Sequence, residues 1–370
     1  MLKSLTKLSI IALTTVAVVS CGSDDDNNSY NVPNSYNFSN VSYSGQISRI
    51  DMLKEITAYM KTAHDGVTID AQQLKNMYAN TNYTWTSSPF AAEQPTKQLK
   101  NKTATGESIS IENWMDKLAV ISASSATGSN GTAGLVTSLS GSKKYIFDEN
   151  GFEPIQLIDK GLMGSVFYYQ GTSVYLSDSK VGGANNDDLA ENKTYTDMQH
   201  YWDEAFGYGS FPIDLTGANI GTKSSAGELS YYSKYLKKAH DANLNTVDQL
   251  MKDGFITGRA AIDNKDYNTR DEAIILVRKH WEMINVAAGL HYLNAALSNL
   301  GDDALRNHEL SEAYAFINAI KFNEGRTMTI AEVDATLDVL GTNFYTITAT
   351  QINNAKSMLA AKFEVTANDF

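Results

Sequence analysis

The stretch that most constrains this chain is Thr269–Gly301, which runs RDEAIILVRKHWEMINVAAGLHYLNAALSNL after its opening threonine and closes on glycine. Its spacing predicts a single helix of about 30 residues, about 45 Å long if straight. Thr269 with Glu272 three residues on forms a capping box, and Gly301 is a natural stop. The other folded segments share this helical signal. Ile50–Ala63 has apolar positions at Ile50, Leu53, Ile56, Tyr59 and Met60, Asp70 is placed to cap a short helix through Tyr78, and Ile111–Ile121 follows the same period. Pro154 suits the first turn of an apolar helix reaching about Gln170, in which Gly161 and Gly164 permit close packing. Further helices are predicted over Glu228–His240, from a capping box at Thr246 and Gln249 to Gly254, from Asp302 or Asp303 through Ile320, and over Ile330–Leu340 and Thr350–Phe363. Ser122–Gly141 and Val181–Lys193 read as surface loops, the second able to lend acidic ligands, and Tyr145–Phe147 as a brief strand. With no strand pairs and no dinucleotide fingerprint, the class is all-α: two packed bundle halves, 45–180 and 181–370, or one domain formed from both.

The first twenty residues lie outside that fold. Lys3 and Lys7 precede the apolar run Leu8–Val19, which is short for a membrane span and fits a signal-peptide core. It ends at Cys21, the only cysteine of 370 residues, so no internal disulfide can form. A cysteine in this position resembles a bacterial lipobox, with Val18 where a leucine is usual; cleavage before Cys21 and its acylation follow from the resemblance. Residues 21–44, rich in Asn, Ser and Asp, predict a flexible tether. The run Asp24, Asp25, Asp26 resembles the export signal of surface lipoproteins in the Bacteroidota. The expected location is therefore the outer membrane, on its periplasmic side or at the cell surface, with the lipid as the membrane partner. The net charge is −12, and losing the leader removes two lysines more, which argues against nucleic acid.

Candidate chemistry centres on Tyr195–Tyr208, YTDMQHYWDEAFGY. His200, Asp203 and Glu204 stand at i, i+3 and i+4, so a helix projects them from one face. His308 and Glu312 repeat the i, i+4 spacing. If the two helices face each other, the five side chains converge as a nitrogen and oxygen set suited to iron, zinc or manganese. The same residues equally serve as hydrogen-bonding groups inside a bundle. His280, flanked by Arg278, Lys279 and Glu282, reads as part of a solvated face, and His291 as a hydrogen-bonded core residue. There is no HExxH, no GxSxG, no phosphate-binding loop in GSNGTAG (128–134) and, with Cys21 lipidated, no nucleophilic cysteine; no catalytic residue is assigned.

HYWDEAFGY (200–208), IDKGLMGSVFYYQ (158–170) and HELSEAYAFINAIKFN (308–323) resemble an uncharacterised domain-of-unknown-function family of bacterial lipoproteins. That family is distantly similar to the imelysin-like proteins, whose resemblance implies an all-α bundle fold, a role in iron acquisition and partnership with outer-membrane uptake machinery. The imelysin pattern G-x-H-x-x-E is matched only in part: Gly289–Asn294 ends in asparagine, and His200–Asp203 lacks the leading glycine. The expected function is that of a lipid-anchored, imelysin-like protein binding a metal or metal complex in iron acquisition; the alternative is a non-catalytic interaction or ligand-binding module whose His and acidic residues are structural, and imelysin-type peptidase activity ranks last because no nucleophile or standard zinc motif is visible.

Overall fold

The computed structural model describes residues 30–86, 97–213, 229–241 and 247–370. The long helix is present as α8, Tyr267–Ser298, and its cap is Asp266, whose carboxylate accepts the amide of Thr269. The capping box expected at Thr269 is displaced because Asp266, three residues earlier, reaches that orphan amide first. Against α8 pack α7 (Val247–Asp263), α9 (Asp303–Ala319) and α6 (Tyr232–Asp241). The C-terminal pair α10 (Ile330–Leu340) and α11 (Ala349–Phe363) joins α8 and α9, each opening with a capping box, Thr329 with Glu332 and Thr348 with Gln351. The box expected at Thr246 lies outside the described residues.

The earlier part of the chain supplies α1 (Ser44–Lys61), α2 (Ala71–Ala79), α3 (Glu107–Ser122), α4 (Pro154–Leu162) and α5 (Asp197–Gly209). Asp70 caps α2 through the amides of Gln72 and Gln73, as its position predicts. Pro154 opens α4, and beyond Leu162 the chain continues in wide π-helical turns over Met163–Tyr168 and Gln170–Val174. Its glycines are contact points. A methyl group on Gly164 would sit 2.6 Å from the Ala319 Cβ on α9, and one on Gly171 would sit 2.5 Å from the Trp281 ring on α8.

Two strands interrupt the helices. β1 (Gly134–Thr137) pairs antiparallel with β2 (Lys144–Phe147), Leu135 opposite Ile146. β1 falls inside the Ser- and Gly-rich run read as loop, and β2 covers the expected strand. The fold is mainly α, carrying one small hairpin among the described residues.

Residues 32–370 form one compact unit with a shared hydrophobic core from Tyr36 to Leu359. The segment before α1 belongs to that core. Tyr36, expected in the tether, is 2 % exposed and its ring stacks on Phe206 at 3.8 Å and 5°. The expected solvated face at His280 and Glu282 is also buried. The His280 Nδ1 lies 2.7 Å from the Leu276 carbonyl, and the Glu282 carboxylate accepts the Thr327 and Met328 amides. No helix among the described residues is long and apolar enough to cross a membrane.

Candidate functional site

Helix α5 carries the first candidate trio, and tertiary packing separates its members. Thr196 and Gln199 form a capping box that fixes where the helix starts. Asp203 then faces inward, fully buried, beneath the segment that precedes α1. Its Oδ1 accepts the Tyr36 hydroxyl at 2.6 Å and the Arg259 Nε at 3.0 Å, while Oδ2 accepts the Ser42 amide at 3.3 Å. Arg259, on α7 and also buried, donates onward to Asn40 at 2.6 Å and to Asp263, and its guanidinium lies 5.0 Å from the Phe38 ring. Burial pushes the Asp203 carboxyl up to about 6, although Arg259, Tyr36 and Ser42 all pull the other way. Removing a carboxylate from water is costly, and the three hydrogen bonds and the paired guanidinium of this network offset part of that cost.

His200 and Glu204 project elsewhere. Their closest atoms are 3.8 Å apart, beyond hydrogen-bond length. The His200 ring stacks on Tyr195 at 4.6 Å, its Nδ1 is buried without a hydrogen-bond partner, and Glu204 accepts the Gln46 amide of α1 at 2.8 Å. The i, i+3, i+4 spacing places three side chains along one side of a helix. Here Asp203 is already committed to the chain segment lying over it.

The second pair sits in a different constellation. His308 on α9 lies 3.7 Å from Glu312, but its Nδ1 donates to Glu153 at 2.6 Å. His64, after α1, places its Nε2 3.2 Å from the other oxygen of the same carboxylate. Glu153 is fully buried and precedes Pro154 at the start of α4, with its own amide donating to Ser311. Tyr145 of β2 stacks on the His308 ring at 4.1 Å and meets His64 edge-on at 5.4 Å. Despite burial, the Glu153 charge holds the His308 imidazole up to about 9, and the two imidazoles hold the Glu153 carboxyl down to about 2. Glu312 is also near the half-buried Lys160, at 3.4 Å, which pairs with Asp159 at 2.7 Å.

Imidazole nitrogens and carboxylate oxygens thus face one another in a clamp, with no common centre for an ion. Among the described residues no group of three or more His, Cys, Asp or Glu side chains is arranged to hold a metal. The five candidate residues are divided between two structural networks. Neither Glu153 nor His64 stands out in the sequence, because their partner His308 is 155 residues from one and still farther from the other. The one available signal is an acid immediately before a helix-opening proline.

A third feature was not singled out from sequence. Between α3, α4 and α9 lies a cavity of about 490 Å³, walled by Ile111, Trp114 and Lys117 of α3, the turn at Asp148–Phe152, Leu157 and Gly161 of α4, and Tyr314, Ala315 and Asn318 of α9. Trp114, Phe152, Tyr314 and Phe322 each leave part of the ring uncovered there. Trp114 and Phe152 are 6.2 Å apart and tilted by 35°, and Phe152 meets Tyr314 edge-on at 5.6 Å. Gly161 lets α3 approach α4 closely at the cleft, since a methyl group there would come within 3.1 Å of Ile111. Apolar walls with a few convergent polar groups are the usual make-up of a small-molecule site.

No curated protein and no solved structure matches this chain at a significant level. A family model, described as Domain of unknown function (DUF4856), matches residues 28–366. That span takes in every described helix, the hairpin, both polar networks and the cleft, and on it the chain belongs to the DUF4856 family.

Proposed function

We propose that this chain is a lipid-anchored, non-catalytic ligand-binding module whose ligand sits in the aromatic cleft between α3, α4 and α9. The observation that carries the reading is the cleft itself: four partly uncovered aromatic rings around about 490 Å³. The buried settings of Asp203 and Glu153 support it from the other side. Each carboxylate is engaged in holding distant segments together, the role of a structural group rather than a ligand or catalyst.

In this reading acylated Cys21 holds the module at the outer membrane, facing the periplasm or the cell surface, and the run Asp24–Asp26 serves as its export address. The relation to the imelysin-like proteins is one of helical architecture. The stretch GLHYLN, where that signature is partly matched, has another use: Asn294 donates to the carbonyls of Ala367 and Phe370, and His291 lies 3.3 Å from Lys238.

The test is occupancy of the cleft followed through Trp114. Of the four tryptophans, Trp85, Trp202 and Trp281 are buried and Trp114 is partly exposed. Titrating the full-length chain with soluble oligosaccharides and short peptides is expected to give a saturable emission change that disappears in Trp114→Phe. Absence of any response across both panels would refute the module. An iron- or zinc-dependent response abolished by His200→Ala would instead favour metal acquisition with outer-membrane uptake partners.

A further inference from the structure

We infer that the ligand of this cleft is a neutral carbohydrate, bound by ring stacking and by hydrogen bonds to its hydroxyl groups; the inference rests on the reading that the cleft is the binding site. Three properties of the lining point to this class.

The first is charge. Among the described residues lining the cleft the one cation is Lys117, and it is already committed, to Asp148 at 2.7 Å and Glu149 at 3.2 Å. No uncommitted positive charge is left for a phosphate, sulfate or carboxylate. The charged wall groups besides Lys117 are Asp148, which pairs with it, and Glu107; both are acidic, so an anion would meet repulsion.

The second is the kind of polar group on offer. Ser110, Asn150 and Asn318 line the cleft, and none of their side chains makes a hydrogen bond within the protein. Amides and hydroxyls both donate and accept. A sugar hydroxyl does the same, so each contact can be satisfied in either direction. A bound anion would use only the donors, and an ammonium group only the acceptors.

The third is the shape of the apolar surface. Trp114 and Phe152 stand tilted to each other, and Tyr314 meets Phe152 edge-on. Flat aromatic faces match the C–H face of a pyranose ring, while the polar groups at the margin meet its equatorial hydroxyls. An extended peptide would need backbone partners as well. The walls are mainly helices and turns, and neither β1 nor β2 lines the cleft, so no strand edge is available for a peptide to extend.

The experiment uses the full-length chain with its own N-terminus and three probe sets: neutral hexasaccharides (maltohexaose, cellohexaose, mannohexaose and xylohexaose), hexagalacturonate with a sulfated heparin hexasaccharide, and a mixed tetrapeptide library. The expected result is saturable binding of at least one neutral hexasaccharide, insensitive to salt, and weakened about tenfold or more in Trp114→Ala and in Asn318→Leu. Either variant alone suffices if the other fails to fold, with circular dichroism and melting as the check. Binding of the anionic probes alone, lost on adding salt, would overturn the ligand class. Peptide binding that depends on Trp114, without any sugar binding, would overturn it too while leaving the module intact. No binding in any set would overturn both.

Discussion

The clamp of His64, Glu153 and His308 makes a prediction whose size follows from its geometry. Glu153 is buried, receives His308 at 2.6 Å and faces His64 at 3.2 Å. Its proximity moves the His308 imidazole from an ordinary value of 6.5 to about 9. A rise of that extent corresponds to about 3 kcal/mol of preference for the charged form in the folded state. A histidine whose folded value is raised contributes its stability fully below pH 6.5 and loses it as pH rises through about 9. The Glu153 carboxyl, held down to about 2, contributes above pH 4.5 and loses its share as pH falls through about 2. Both describe one interaction, so the about 3 kcal/mol is counted once.

The perturbation is Glu153→Gln, which keeps the shape and removes the charge. Urea unfolding at a series of pH values between 6 and 9.5 gives the apparent free energy for both proteins. At pH 6 the variant should be weaker by about 3–5 kcal/mol, the usual cost of removing one partner of a buried pair. The gap should then narrow by about 3 kcal/mol on going to pH 9.5, because only the wild type loses the His308 contribution. Titrating groups remote from Glu153 enter both curves and cancel in the difference, while Glu309 and His64, which feel the Glu153 charge, shape the curve in between. Nitrogen NMR of the histidine ring should place the wild-type His308 titration near 9. Parallel stability curves over the whole range, or a His308 that titrates at its ordinary value, would refute the reasoning.

Other outcomes follow from the same structure. Tyr36→Phe removes a hydrogen bond to a buried carboxylate and should cost about 1.5–3 kcal/mol in urea unfolding, whereas Tyr36→Ala, which also empties the space stacked on Phe206, should cost about 3–5 kcal/mol; equal and negligible effects would mean that the segment before α1 is not anchored as described. Gly258→Ala drives a methyl group into the Trp202 ring and should destabilise by about 1–3 kcal/mol or more, seen as a lowered melting temperature; an unchanged one would contradict the close approach of α5 and α7. Trp114→Phe should remove most of the acrylamide-quenchable tryptophan emission, since the other three indoles are buried; unchanged quenching would place the exposed indole elsewhere.

Much of the helical order was legible because it is locally encoded. Asp70, Pro154 and Asp302 sit at the starts of their helices where side-chain caps and a fixed φ act within three or four residues. Gly164 works as expected because close helix packing requires a missing side chain in the sequence itself. The strand β1 was hidden by its composition: a Ser- and Gly-rich run reads as loop until β2 supplies the partner. Tyr36 was hidden for a similar reason. Its surroundings are polar and poor in aliphatics, and what orders them is a long-range network through Asp203 and Arg259 rather than local apolar content.

The candidate site shows the limit of spacing arguments. An i, i+4 pair is a statement about one helix face, and both His200–Glu204 and His308–Glu312 do lie on common faces. What those side chains bind was decided elsewhere in the chain, by Gln46 for Glu204 and by Glu153 for His308. The aromatic cleft has no contiguous signature at all. Its rings come from α3, the turn before α4, α9 and the segment just after it.

If Asp203 and Glu153 are structural and the ligand binds at Trp114, the helices carry no resident metal. The most direct measurement is the metal content of the full-length chain as purified, and again after incubation with iron or zinc and desalting, with His200→Ala in parallel. The account predicts far less than one metal ion per chain in both proteins. One iron or zinc per chain, retained through desalting and lost in His200→Ala, would contradict it and make α5 a metal site.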